Sequence, residues 1–224
     1  MSEELHAPGW SAIDLACQRL YGGQVPHQFT SQTAYELETA SPLPAISVWE
    51  GQRPAHWHYI TYGLSELFEK TSPDPEISGF GFELTMRVPR QADETTPPIW
   101  PLRALQGLGG YVLRSGKGFD TGHRADLGGP LAPGTDTALT ALVCVPDPML
   151  GKLEGPFGSV LFLQVIGVTA DELAAMQRLD HEGVVHLMGE LDFHGMTDLS
   201  RGSYLTHPQK APIVRRYQLG ILLD

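Results

Sequence analysis

The chain has little of what several protein classes require. Its 224 residues include only two cysteines, Cys17 and Cys144, which are far apart and in apolar surroundings. That excludes a disulfide framework and a four-thiolate zinc site. The longest apolar runs, such as 160–168, are about half a membrane span. The start, Met-Ser-Glu-Glu, lacks the basic and apolar regions of a secretory signal. We therefore expect a cytoplasmic protein that does not enter a membrane.

Positive charge is also scarce. Lys and Arg number 15 against 26 Asp and Glu, a net charge of −11, and the segments 1–50 and 171–200 are the most acidic. Nucleic-acid affinity depends on Lys and Arg neutralising phosphates, so nucleic acid is not an expected partner. An acidic surface favours a basic protein partner instead, and Asp171, Glu172 and Glu182 are the residues expected to steer its approach. The same charge also serves plain solubility.

Hydrophobic periodicity predicts a mixed architecture. The 25 glycines and 18 prolines imply frequent turns and disfavour a helical bundle. Alternating or continuous apolar patterns predict strands at 28–37, 45–50, 56–63, 80–88, 123–127, 139–145 and 160–168. Apolar residues three and four apart predict helices at 13–20, 99–113, 170–179 and 182–190. The end, 217–222, is predicted to form a final strand or a docked tail. The pattern indicates a single α+β domain over 1–224, with a largely antiparallel sheet and packed helices.

The strand 80–88 carries the clearest alternation. Its apolar residues alternate with Gly81, Glu83, Thr85 and Arg87, which predicts one buried face and one wet face. Glu83 is therefore expected to face solvent, and we assign it no catalytic role.

Two histidines on the strand 56–63 allow a metal site. His56 and His58 share one face, and a third ligand would have to come from Asp192, His194 or His181. The alternative is a wet strand face or histidines hydrogen-bonded within the sheet, which we favour.

Other catalytic patterns are weak. Cys144 lies in an apolar strand and is expected to be an inert core thiol, and no Gly-x-Ser-x-Gly elbow occurs. We therefore predict no catalytic residue, no metal and no cofactor.

Several longer motifs resemble the Suppressor of fused family. They follow the family's order over about residues 10–205 and are PAHWHYITYGLSEL at 54–67, SGFGFELTMR at 78–87, PIWP at 98–101, LQGL at 105–108 with Tyr111-Val112, GPFG at 155–158, FLQ at 162–164, and TD at 197–198 with RG at 201–202. The resemblance implies the fold of the family's N-terminal lobe over this core, followed by a basic and apolar extension at 206–224.

The resemblance also implies a binding function. The animal members are two-lobed clamps that hold Gli-type transcription factors as an added extended strand. This chain matches the N-terminal lobe only. The family's partner-binding tyrosine falls on Tyr111, and its acidic contact falls on His123, within a loop that includes Phe119 and Asp120.

Single-lobe bacterial relatives are associated with polymorphic toxin systems as immunity proteins. The resemblance therefore implies a non-enzymatic protein-binding domain that sequesters a partner, such as a basic toxin domain. The alternatives are a regulatory scaffold for an endogenous protein and, less favoured, a metal-dependent enzyme built on His56 and His58. The oligomeric state stays open.

Overall fold

A computed structural model describes residues 7–30 and 42–220. In chain order the elements are α1 (Pro8–Tyr21), β1 (His27–Thr30), β2 (Ala45–Gln52), β3 (Ala55–Tyr62), β4 (Ile77–Pro89), α2 (Trp100–Ser115), β5 (Arg124–Asp126), β6 (Leu139–Pro146), β7 (Lys152–Gly155), β8 (Gly158–Thr169), α3 (Ala170–Met176), α4 (His181–Leu191) and α5 (Ala211–Gln218). The predicted strand 28–37 is present as β1 for its first part, and 31–37 lies outside the described residues.

The strands form one sheet in the order β1-β2-β3-β4-β8-β6-β5. Neighbours are antiparallel except β4 and β8, which run parallel. The short strand β7, which the periodicity did not predict, pairs with the beginning of β8. The predicted α+β class with a largely antiparallel sheet is confirmed.

Helices cover both faces of the sheet. On the first face, α2 packs Leu102, Leu105 and Val112 onto the sheet's apolar residues. On the second face, α1 covers one part through Ile13 and Cys17, and α3, α4 and α5 cover another. Because neither face is left to solvent, strand positions that alternate in polarity are buried on both sides.

This arrangement overturns the predicted wet face of β4. Glu83, Thr85 and Arg87 are each 0% exposed. They point to the second face, where Glu83 is enclosed by the residues that follow β3, and Thr85 and Arg87 by Asp147 and Gln164. Alternation of polar and apolar residues shows which residues share a face, but it does not show whether a distant helix covers that face.

The helix ends follow local chemistry. Thr169 and Glu172 form the capping box of α3, and the Asp180 side chain accepts a hydrogen bond from the Gly183 N–H at the start of α4. The predicted helix 170–179 ends earlier, at Met176. Of the two alternatives for 217–222, the strand is wrong for the described part, because α5 continues to Gln218. The docked tail agrees with Tyr217, which is 4% exposed within a core cluster.

Candidate functional site

The four residues singled out for partner binding lie on one surface stretch between α2 and β5. Tyr111, on α2, is 46% exposed. Its ring centroid lies 5.8 Å from that of Phe119. Next to them, the Asp120 N–H donates to His123 Nδ1 at 3.0 Å, and the His123 N–H donates to the Asp120 carbonyl. The structure therefore brings an exposed tyrosine and a half-buried phenylalanine beside a tight turn.

The turn is fixed by hydrogen bonds to β6 and by close packing against α4. The Gly122 N–H donates to the Cys144 carbonyl, and the Cys144 N–H donates to the His123 carbonyl, both at 2.8 Å. Gly122 has φ +77° and sits so close to His181 that a Cβ would lie 2.5 Å from the His181 Cα. Glycine is therefore required at this position on two grounds. The Arg124 guanidinium also donates to the Gly122 and Leu179 carbonyls.

The strand that follows the turn lies at the end of the sheet. β5 pairs with β6 on one side, and no described strand lies on the other. Its bonds to β6 include those at His123 and Leu127. Because inward bonding alternates along an antiparallel strand, the backbone groups of Arg124 and Asp126 point away from β6. β5 therefore presents unpaired backbone donors and acceptors at an edge.

An apolar groove of about 280 Å³ lies beside this edge. Ala104, Gly107 and Leu108 of α2 line one side, and Leu127 and Leu131 line the other. Tyr111 lies one helical turn beyond Gly107, on the same face of α2. Sequence reasoning missed this groove, because its two sides are brought together only by packing.

The three acidic residues expected to steer a partner differ in their surroundings. Glu172 is 1% exposed, and its carboxylate accepts hydrogen bonds from Arg201 at 2.7 and 2.8 Å and from the Tyr204 N–H. Its inclusion in the steering set is therefore wrong, because it is a buried structural anion. Asp171 is exposed and accepts from the Thr169 and Ser203 hydroxyls. Glu182 is exposed, and its Oε1 lies 3.8 Å from Nε2 of His186.

Of the two histidines of β3, His58 belongs to a buried group that we call the central polar cluster, formed by Tyr21, His58, Thr85, Arg87, Asp147 and Gln164. His58 Nδ1 lies 2.6 Å from the Tyr21 hydroxyl, and Nε2 lies 3.0 Å from Asp147 Oδ2. The Arg87 guanidinium donates through Nη2 to Asp147 Oδ1 at 2.8 Å and through Nη1 to Gln164 Oε1 at 2.7 Å. The predicted wet face is wrong here, and the hydrogen-bonded alternative describes His58.

The electrostatics of this cluster follow from burial. Burial lowers the pKa of His58 to about 4, and the Arg87 guanidinium acts in the same direction, against Asp147. Burial alone would raise the pKa of Asp147, but His58 and Arg87 outweigh it and hold that pKa well below its usual range. We therefore describe a neutral imidazole beside an anionic carboxylate that Arg87 stabilises.

The ligand set considered for a metal does not assemble. His56 Nδ1 is engaged with the Pro54 carbonyl at 2.7 Å, and the His56 and His58 rings are 6.2 Å apart. His181 instead stacks edge-on against His123, with ring centroids 5.3 Å apart. Within residues 7–30 and 42–220, no three His, Cys, Asp or Glu side chains are grouped so that they could hold a metal ion.

Glu83 is a buried carboxyl rather than a solvated one. It accepts hydrogen bonds from the N–H groups of Gly63, Leu64 and Ser65 and from the hydroxyls of Thr61 and Ser65. Burial raises its pKa to about 7, and these hydrogen bonds oppose that rise. Glu83 therefore fixes the backbone that follows β3.

The cysteines are enclosed. Both are free and buried, and burial raises the pKa of Cys144 to about 12. The expectation of an inert core thiol at Cys144 agrees with this environment.

No helix within the described part of the chain is long and apolar enough to cross a membrane.

Together, the fold and this surface define a class: an α+β domain with helices on both faces of one sheet and an edge-strand surface as its candidate site. Comparisons with known proteins agree. The model of the family described as Suppressor of fused protein (SUFU) matches residues 39–202. The human Suppressor of fused homolog is 36% identical over 211 residues, covering 87% of this chain and 43% of that protein. This chain belongs to the Suppressor of fused family.

Solved structures agree as well. A chain of the Sufu–Fu complex crystal structure superimposes with a TM-score of 0.81 at 28% identity, covering 98% of this chain and 99% of that one. Drosophila Suppressor of Fused gives a TM-score of 0.80 at 28% identity, covering 94% of this chain and 54% of that one. The chain thus spans less than half the length of the human relative and about half of the Drosophila one.

Proposed function

We propose that this chain is a non-enzymatic protein-binding domain whose partner adds an extended segment along β5. The observation that carries the proposal is the position of β5, an edge strand with outward backbone groups, beside the exposed Tyr111, which contacts the half-buried Phe119, and beside the apolar groove. An added strand would bond to the outward groups of Arg124 and Asp126, and its alternate side chains would enter the groove.

The geometry supports tight binding at low entropic cost. Tyr111 supplies an exposed aromatic surface of the kind that dominates interface energetics. The Asp120–His123 turn is already ordered by its bonds to β6 and by packing against His181 of α4, so little freedom remains to be lost on binding.

The relatives favour the same function. One matching chain comes from the Sufu–Fu complex, in which a family member is seen with another protein. This chain carries His123 where the family has an acidic contact, so we propose that its partner differs from the Gli-type segment of the animal proteins.

We further propose that the partner is sequestered, as an immunity protein sequesters its toxin. The net charge of −11 favours a basic partner, and Asp171 and Glu182 remain exposed to steer it. The competing function is regulation of an endogenous protein. A toxin-like reading frame adjacent to this gene favours sequestration, and its absence favours regulation.

The test uses the partner identified by mass spectrometry after co-purification from the native host, then purified for titration. Tyr111→Ala should weaken its binding by about tenfold or more, as expected for an aromatic interface anchor. Asp126→Pro should do the same, because it removes an outward N–H that β6 does not use. The matched control, Asp126→Ala, keeps that N–H and should bind like the original chain.

A second control lies away from this surface. Phe193, on the segment after α4, is 61% exposed, and Phe193→Ala should leave the affinity unchanged. If Tyr111→Ala and Asp126→Pro both bind the partner like the unmodified chain, while circular dichroism shows that they are folded, the β5 edge is not the binding surface.

A further inference from the structure

A second concave surface lies at the start of β4 and shares no lining residue with the groove beside β5. It encloses about 500 Å³ and is lined by residues of the β3–β4 connection and the start of β4. Phe68 and Phe80 both line it and are 45% and 38% exposed, and Ile77, three residues before Phe80 on β4, is 41% exposed. We call this surface, formed by residues 63–69, 71–72 and 79–80, the Phe68–Phe80 bowl. Large apolar side chains exposed together in a concavity are typical of a binding surface.

The wall of the bowl is held by two carboxylates. From behind, Glu83 fixes the first part of the loop through the N–H groups of Gly63, Leu64 and Ser65, at 2.9 to 3.1 Å. The Phe80 N–H also donates to the Leu64 carbonyl at 2.9 Å.

Glu66 fixes the second part. Its carboxylate accepts from the N–H groups of Thr71, Ser72 and Gly79 and from Lys70 Nζ. Burial alone would raise the pKa of Glu66, but the N–H groups of Ser72 and Thr71 and the Lys70 ammonium lower it to about 2. The loop therefore presents Phe68 in a fixed position, which reduces the entropic cost of binding.

The charge around the bowl has one sign. Glu69, Asp74 and Glu76 are exposed. Lys70, the one cation between residues 63 and 80, is occupied by Glu66, the Ser72 hydroxyl and the Ile77 carbonyl. Glu69 lines the bowl, and Asp74 and Glu76 lie on the same connection. The exposed charge of this segment is therefore anionic beside an apolar centre, which is complementary to an apolar side chain flanked by cations.

We propose that the Phe68–Phe80 bowl is a second docking surface, which takes a basic protein segment with an aromatic or large aliphatic anchor. It is built from residues that the β5 surface does not use, so it does not depend on the function proposed for that surface.

The test uses two synthetic peptides and the whole chain. One peptide has a central tryptophan flanked by lysines, and the other has the same tryptophan flanked by glutamates. Titration followed by ¹H–¹⁵N NMR should give saturable shifts at Phe68 and Phe80 with the lysine peptide, at an affinity about tenfold or more above that of the glutamate peptide. The double variant Phe68→Ser with Phe80→Ser should abolish these shifts. Both side chains are exposed, so the fold should persist.

Two controls distinguish the contribution of the two phenylalanine rings from that of the acidic residues. Phe193→Ser removes a comparably exposed ring elsewhere and should leave binding of the lysine peptide unchanged. The triple variant Glu69→Gln, Asp74→Asn, Glu76→Gln should weaken binding of the lysine peptide and remove the preference between the peptides. Absence of saturable shifts, shifts centred at Tyr111 and β5 instead, or equal binding of both peptides would each overturn the proposal. None of these results bears on whether a partner binds at β5.

Discussion

At the scale of single residues, the central polar cluster explains how charge is tolerated inside this domain. Arg87 and Asp147 are 0% and 1% exposed and lie 2.8 Å apart. Asp147 also accepts from the Thr85 hydroxyl and from the N–H groups of Met149 and Leu150. A buried ion pair is maintained only when such additional bonds satisfy its remaining atoms. The cluster therefore ties β4 and the β6–β7 connection to each other.

The same cluster makes the free energy of unfolding depend on pH. The His58 pKa is about 4 in the folded chain, against a reference value of 6.5. Between these values the unfolded chain binds a proton at His58 that the folded chain does not, so the contribution of His58 to the free energy of unfolding decreases as pH falls from about 6.5 toward 4. In ¹⁵N NMR spectra, the His58 ring nitrogens should stay in the neutral pattern down to about pH 5. A ring that gains its proton near pH 6.5 would contradict this assignment.

At the scale of elements, α2 shows how glycines in a helix can serve close packing. The sequence Gly-Leu-Gly-Gly at 107–110 weakens a helix intrinsically, yet α2 runs unbroken from Trp100 to Ser115. A Cβ on Gly109 would lie 2.6 Å from the Leu43 side chain, whereas a Cβ on Gly107 would meet nothing within 4 Å. The segment before β2 therefore approaches the helix closely at Gly109 and not at Gly107.

Two alanine substitutions one half-turn apart should therefore have opposite effects. Gly107→Ala should raise the free energy of unfolding by about 0.5–1 kcal/mol, because it restricts the unfolded chain without a clash. Gly109→Ala gains the same helix propensity but forces the Leu43 side chain aside. We therefore expect it to lower the free energy of unfolding by about 1–3 kcal/mol. Urea unfolding of both variants measures the difference. Equal stabilisation by the two would show that the approach of Leu43 is not tight.

At the scale of the whole molecule, both faces of the sheet need helices, and α5 supplies part of that cover. Ala211, Val214 and Tyr217 are buried against the cluster that also contains α3 and α4. The Tyr217 hydroxyl donates to Glu190 of α4 at 2.5 Å. We therefore propose that the domain continues through Gln218 rather than ending near residue 205.

Truncation tests this boundary. A chain that ends at residue 205 should lose about 2–5 kcal/mol of unfolding free energy, because the apolar surface beneath α5 becomes exposed. Arg215→Ala, at an exposed position of the same helix, should change the free energy of unfolding by less than about 0.5 kcal/mol. Urea midpoints of the three chains give the comparison. An unchanged midpoint for the truncated chain would place α5 outside the cooperative unit.

Much of this architecture could be predicted because local patterns determine local structure. The apolar periods located the interior strands and most helices, the Thr169–Glu172 pair marked the start of α3, and long motifs identified the family. The boundaries and the terminal helix were harder. At 217–222 a short apolar run gave no period to distinguish helix from strand, because the helix begins at Ala211 and only its last two residues, Tyr217 and Gln218, fall within that run.

The sequence by itself determined most strands and helices, the acidic charge and the family, and the family resemblance supplied Tyr111, Phe119, Asp120 and His123 as candidate partner-binding residues. Only the tertiary structure decided which faces are dry, and so turned Glu83, Arg87 and Glu172 from expected surface groups into buried ones and favoured the hydrogen-bonded alternative over the wet face for His58. It also decided that α2 and the loop after β5 enclose a groove, and that Phe68 and Phe80 share a bowl. The physical reason is that polarity patterns report which residues lie on one side of an element, whereas burial depends on distant elements that cover that side.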